Sequence, residues 1–109
     1  MAIIEVDEDD FYEVLEEEFS KNNIVILKFG SEFCDSCFAL ETELEELDDS
    51  RENISILSID CDESMELSQK YYIHRLPTMI IYKDRQNSLY RGEGVVLCQD
   101  IMRIVDEAN

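Results

Sequence analysis

The sequence has no tryptophan, a single proline and only three glycines among 109 residues. Such scarcity of Gly and Pro excludes low-complexity tracts, collagen-like repeats and long flexible linkers. No apolar run approaches the ~20 residues that a membrane-spanning helix needs. Met1 to Val6 has neither the basic start nor the long apolar stretch of a secretory leader. The expectation is an unexported chain in the cytoplasm with no membrane partner. Basic residues are also few: 9 Lys and Arg against 27 Asp and Glu give a formal charge of −18. That charge repels phosphate backbones and anionic lipid, so nucleic acid is excluded as a partner. The acidic runs Glu13 to Glu18 and Glu41 to Asp49 read as solvated helix faces.

What is present is ordinary globular material, 45% hydrophobic, enough for one core and one domain over residues 1–109. Ala2 to Val6 reads as a short strand. Asp7 and Asp10 then supply an N-cap and an acidic third position for a helix whose apolar face is Phe11, Val14, Leu15 and Phe19. Ile24 to Phe29 is apolar except for Lys28, the pattern of a central strand covered on both faces. Cys37, Leu40, Leu44 and Leu47 follow at helical spacing. Asn53 to Asp60 is a second buried strand, giving a parallel crossover unit. Ser64 opens a short helix through Tyr72. Thr78 to Lys83 and Ser88 to Gly92 form an antiparallel hairpin around the polar turn Asp84 to Asn87. Ile101, Ile104, Val105 and Ala108 mark a last helix. The expected class is α/β, with a mixed sheet of about five strands flanked by four helices.

Four cysteines divide by spacing into one pair, Cys34 and Cys37, and two singles, Cys61 and Cys98. The singles read as buried or half-exposed free thiols. The pair is a C-x-x-C where a strand gives way to a helix. There Cys34 meets unsatisfied N–H groups and the positive end of the helix dipole, both of which favour the attacking thiolate. Cys37, one turn on, stands within reach of a mixed disulfide formed on Cys34.

The element order, the segment from Phe33 to Cys37, and the stretch Lys70-Tyr71-Tyr72-Ile73-His74-Arg75-Leu76-Pro77-Thr78 together resemble the thioredoxin family over nearly the whole chain. The resemblance implies a thioredoxin fold and a thiol-disulfide oxidoreductase that reduces protein disulfides. Cys34 would attack and Cys37 would resolve. A cis Leu76–Pro77 bond would lie against the cysteines, and the Leu76 backbone would pair with an extended client segment. Phe33 and Gly94 would complete the contact face. No bound cofactor is implied, because the Cys34–Cys37 disulfide is itself the redox group. The implied partners are disulfide-containing client proteins and a flavoprotein thioredoxin reductase that reloads the pair.

The departures from the family are local. Asp35-Ser36 stands where Gly-Pro is usual and Phe33 where tryptophan is usual, so the site is expected to be tuned differently. Asp35 places a negative charge beside the Cys34 thiolate and opposes it. Lys28 stands where the family buries an aspartate; its two readings are a side chain that snorkels to water and a cation that favours thiolate. Phe38 reads either as core or, with Phe33, as an apolar flank of the disulfide. His74 reads as a surface residue rather than a base. Three rival functions stand against this reading. Zinc binding lacks a second ligand pair, a thiol oxidase or isomerase is usually exported, and a non-catalytic thioredoxin-fold adaptor would dock through the acidic surface.

Overall fold

The structure, a computed structural model, describes residues 3–108. Its elements run β1 (Ile3–Val6), α1 (Phe11–Ser20), β2 (Ile24–Gly30), α2 (Asp35–Ser50), β3 (Ile54–Asp60), α3 (Met65–Lys70), β4 (Thr78–Asp84), β5 (Asn87–Glu93) and α4 (Cys98–Glu107). This is the order expected; Ala2, expected to open β1, lies outside the described residues. The sheet order is β1-β3-β2-β4-β5. β3 lies parallel to β1 and β2, while β4 runs antiparallel to β2 and β5.

β2 is the axis of the molecule, with all seven residues buried. Its period-two alternation feeds two cores. Ile24 and Ile26 join Leu40, Leu44 and Leu47 of α2 and Ile101 and Val105 of α4. Val25, Leu27 and Phe29 join Phe11 and Phe19 of α1 and Leu67 of α3 on the other face. Lys28 and Gly30 continue the first of these rows, so they face α2.

Asp7 and Asp10 exchange hydrogen bonds ahead of α1, whose N-cap residue is Asp10 rather than the expected Asp7 and makes no side-chain cap bond of its own. The Asp10 carboxylate accepts from the Asp7 N–H at 2.8 Å, the Asp7 carboxylate accepts from the Asp10 N–H at 3.3 Å, and the Asp7 carbonyl takes the Phe11 N–H at 3.0 Å. Ser64 behaves otherwise. Its backbone opens α3, but its hydroxyl caps nothing and is buried without a partner; Glu8 reaches across instead to accept the Glu66 N–H at 3.0 Å. α3 also ends early, because Tyr72 turns to φ 56°. The hairpin turn is tighter than expected. Asp84 pairs with Asn87, leaving a two-residue loop, and its carboxylate accepts from the Gln86 N–H and the Asn87 amide at 2.9 and 2.8 Å.

One carboxylate of the acidic runs, Glu18, is buried, and a half-buried one, Glu43, is used as a tie. Glu18 is 6% exposed and accepts from Ser55 Oγ at 2.6 Å and Lys21 Nζ at 2.8 Å. Burial alone would raise its carboxyl, but the bonds from Lys21 and Ser55 outweigh burial and hold it below the usual range. Glu43 of α2 accepts the Cys98 N–H at 2.8 Å and so ties α2 to the first turn of α4.

Candidate functional site

The loop after β2 is fastened to the end of β3. The Cys61 N–H donates to the Gly30 carbonyl at 2.9 Å. Ser31 Oγ donates to Asp62 at 2.6 Å and accepts the Phe33 N–H at 3.2 Å. The loop therefore delivers Cys34 to the N-cap of α2 in extended conformation, φ −122° and ψ 107°. Its sulfur accepts the Cys37 N–H at 3.2 Å, the bond that an oxygen makes at ordinary N-caps. Cys34 and Cys37 are joined as a disulfide with Cα atoms 5.3 Å apart. Cys34 is half-buried, whereas Cys37 is 1% exposed beneath α2.

Around this pair the α2 end contributes Asp35 and Ser36, both exposed, with Ser36 Oγ 3.5 Å from the Cys34 sulfur. Asp35 sits in the first helical turn, where a negative charge favours the helix but opposes a Cys34 thiolate. Phe33 is 89% exposed and Phe38 52% exposed, so Phe38 is a flank of the site rather than core. The opposite wall comes from β4. Because Thr78 pairs with Phe29, the preceding Leu76 and Pro77 lie at the same end of the sheet as the cysteine loop. The Leu76–Pro77 bond is cis. Pro77 is buried and Leu76 half-buried. Among the described residues no hydrogen bond engages the Leu76 N–H or carbonyl. His74 is exposed.

The Pro77 carbonyl accepts the Gly94 N–H at 2.9 Å. Gly94 has φ 90° and open space where a Cβ would stand. Gly94→Ala is therefore expected to cost about 1–2 kcal/mol through backbone strain alone, read as a lower urea midpoint. An unchanged midpoint would show that this turn relaxes freely.

The Lys28 stem is buried in β2 and its ammonium opens onto a surface groove, as the snorkelling reading expects. The residue is 7% exposed, and its Nζ lies 3.2 Å from the point that a Cβ on Gly30 would occupy, with Cys37 Sγ 3.3 Å from the same point. Ammonium and sulfur are thus neighbours across the bare face of Gly30. Among the described residues no hydrogen bond or ion pair engages that ammonium. It borders a surface groove of about 530 Å³ whose lining includes Glu5, Asp7, Glu32, Glu41, Asp60 and Glu63. None of these six carboxylates was assigned to the site from the sequence. They come from six separate places in the chain, and only the strand register, with Glu5 opposite Ser58 and Ser58 opposite Lys28, aligns the floor.

Cys61 and Cys98 are unpaired, the first half-buried and the second buried. Burial pushes both thiols up; nearby carboxylates add to this, while Lys28 pulls Cys61 weakly the other way. Neither has the depressed value of a reactive thiol. No helix among the described residues is long and apolar enough to cross a membrane.

This arrangement can perform dithiol-disulfide exchange: one accessible sulfur at a helix start, a second shielded behind it, and an unpaired backbone segment alongside. Comparison with known proteins agrees. The sequence profile of one family, Thioredoxin, matches residues 2–107. Thioredoxin of Staphylococcus aureus is 32% identical over 87 residues, covering 79% of this chain and 79% of that protein. Thioredoxin 2 of Plasmodium falciparum is 28% identical over 86 residues, covering 78% of this chain and 54% of that protein, so the chain spans about half of that relative's length. Among solved structures, chloroplastic thioredoxin z superposes with a TM-score of 0.86 at 27% identity, covering 100% of this chain and 97% of that one.

Proposed function

Because the chain belongs to the thioredoxin family and carries a C-x-x-C disulfide of that family's type, we propose that it is a thiol-disulfide oxidoreductase reducing disulfides in client proteins. It would act as one thioredoxin-like domain over residues 1–109. The observation that carries this reading is the Cys34 sulfur at the N-cap of α2, accepting the Cys37 N–H. In the reduced protein that N–H and the helix dipole favour the Cys34 thiolate.

The Cys34 thiolate attacks one sulfur of a client disulfide, and the other client sulfur leaves as a thiolate. Cys37 then attacks Cys34, restoring the Cys34–Cys37 bond and releasing the second client thiolate. Two electrons pass from the pair to the client. Phe33, Leu76, Pro77 and Gly94 form the client-binding face. The unpaired Leu76 N–H and carbonyl suit β-type pairing with an extended client segment. Asp35 and Ser36 tune Cys34 from the helix start. No bound cofactor is required, since the pair holds the electrons; a flavoprotein thioredoxin reductase would reload it. The unpaired Cys61 and Cys98 favour a reducing compartment, and we place the protein in the cytoplasm.

Insulin reduction tests the reading. The reduced protein should accelerate cleavage of the insulin disulfides by dithiothreitol, and protein alkylated at both site thiols should not. A rate no greater than dithiothreitol alone would overturn the assignment in favour of a non-catalytic adaptor. Reduction of the oxidised protein by NADPH and a flavoprotein thioredoxin reductase tests the partner separately.

A further inference from the structure

Lys28 is a buried cation in the wall of the redox site with no hydrogen-bonded or ion-paired partner among the described residues. An ammonium at the floor of a groove keeps only part of its hydration, which is costly unless its surroundings compensate. Two features of its surroundings reduce that cost. The groove it borders carries carboxylates from every adjoining element: Glu5 on β1, Asp7 in the turn beyond it, Glu32 in the cysteine loop, Glu41 on α2, Asp60 ending β3 and Glu63 before α3. Their summed field draws positive charge to the groove floor, although none pairs with the lysine. The second feature is Gly30. A side chain there would crowd both Lys28 Nζ and Cys37 Sγ, so its absence is what lets ammonium and sulfur face each other.

We propose that Lys28 serves the resolving step, stabilising the Cys37 thiolate through its positive charge while Cys37 attacks the mixed disulfide on Cys34. The inference rests on the reading of Cys37 as resolver. Cys37 is nearly inaccessible to water, so its ionisation needs a charge supplied by the protein. Lys28 supplies one and takes no proton. In the step, the Cys37 thiolate forms the Cys34–Cys37 bond, the Cys34–client bond breaks, and the client sulfur leaves with the electron pair. The proton that Cys37 lost goes to solvent, from which the departing client thiolate takes one up. Lys28 is thus a positioning and charge-stabilising residue, and the buried cation makes the shielded sulfur reactive without a base.

A stopped-flow reaction of the reduced protein with an aromatic disulfide tests this, because each exchange releases one coloured thiolate. The first phase reports attack by Cys34 and the second reports resolution by Cys37. Removing the charge lowers the Cys37 thiolate fraction but makes the remaining thiolate more nucleophilic. A tenfold to hundredfold change in fraction therefore leaves a net slowing of about 3- to 10-fold. Lys28→Met should show that slowing in the second phase near pH 7, with the first phase changed less than about twofold. The gap should narrow near pH 10, where the alkaline solution raises the thiolate fraction in either protein. Lys28→Gln provides the same test should the methionine variant not fold. A second phase unchanged near pH 7, or slowed equally at both pH values, would overturn the proposal and leave Lys28 a structural role. If the wild-type protein released no second thiolate, the resolver assignment itself would fail, and this inference with it.

Discussion

Cys37→Ser is expected to stop the reaction after its first exchange. The Cys34 thiolate keeps its N-cap position and can still open a client disulfide, but no sulfur stands behind it to release the client. Turnover in the insulin assay should fall on the order of a thousandfold or more, as when one member of a jointly acting set is removed. The client should instead accumulate as a covalent adduct that dithiothreitol releases, visible as a shifted band under non-reducing electrophoresis. Cys34→Ser should lose turnover to the same extent without forming that adduct, because the remaining sulfur is 1% exposed and cannot meet a folded client. Adduct formation by Cys34→Ser rather than Cys37→Ser would reverse the roles of attacker and resolver. Undiminished turnover in either variant would place the chemistry elsewhere.

The second large effect is on stability. Phe29 is fully buried in β2, with its ring 5.5 Å from that of Tyr71, which in turn meets Phe11 edge-on at 5.8 Å. Phe29→Ala removes the fully buried β2 ring of this cluster and is expected to cost about 3–5 kcal/mol. Domains of this size have about 5–15 kcal/mol in all, so the urea midpoint should fall steeply. Burial pushes the Tyr71 phenol up to about 12. Water entering the cavity should bring it back towards the ordinary value, which tyrosinate absorbance reads in whatever fraction stays folded. Phe33→Ala is the matched control: that ring is 89% exposed, and its removal should alter stability by no more than about 0.5 kcal/mol. A small loss for Phe29→Ala would mean that α1 and α3 collapse into the space.

These contrasts show which features the residues announce by themselves. The apolar run of β2 and the helical spacing of Leu40, Leu44 and Leu47 are local patterns, and each appears where its period places it. Cys34 and Cys37 were legible for the same reason, since a C-x-x-C between strand and helix fixes its own geometry. Lys28 was not, because its sequence neighbours say only that a cation interrupts an apolar strand. Whether it reaches water depends on Gly30 beside it and on α2 above it, and both were chosen by packing. The groove carboxylates were hidden for a related reason: Glu5 and Glu63 are 58 positions apart, and only the pairing of β1 with β3 joins them. Glu18 looked like one more solvated acid until β3 supplied Ser55. Charge runs record composition, and partners across the sheet decide which members are buried.

The residues Ile26 to Phe29 are held between β3 on one side and β4 on the other. Amides so placed trade their hydrogen for deuterium only when the whole sheet comes apart, so their rates measure the global unfolding free energy. Measured in the oxidised and the reduced protein, those rates give two stabilities joined in a closed cycle by the Cys34–Cys37 bond. If the oxidised form exchanges more slowly, folding makes the disulfide harder to reduce than it is in the unfolded chain; if the reduced form does, folding makes it a stronger oxidant. Each tenfold difference corresponds to about 30 mV. The central strand therefore serves as a potentiometer for the cysteines beside it, readable by mass without an electrode.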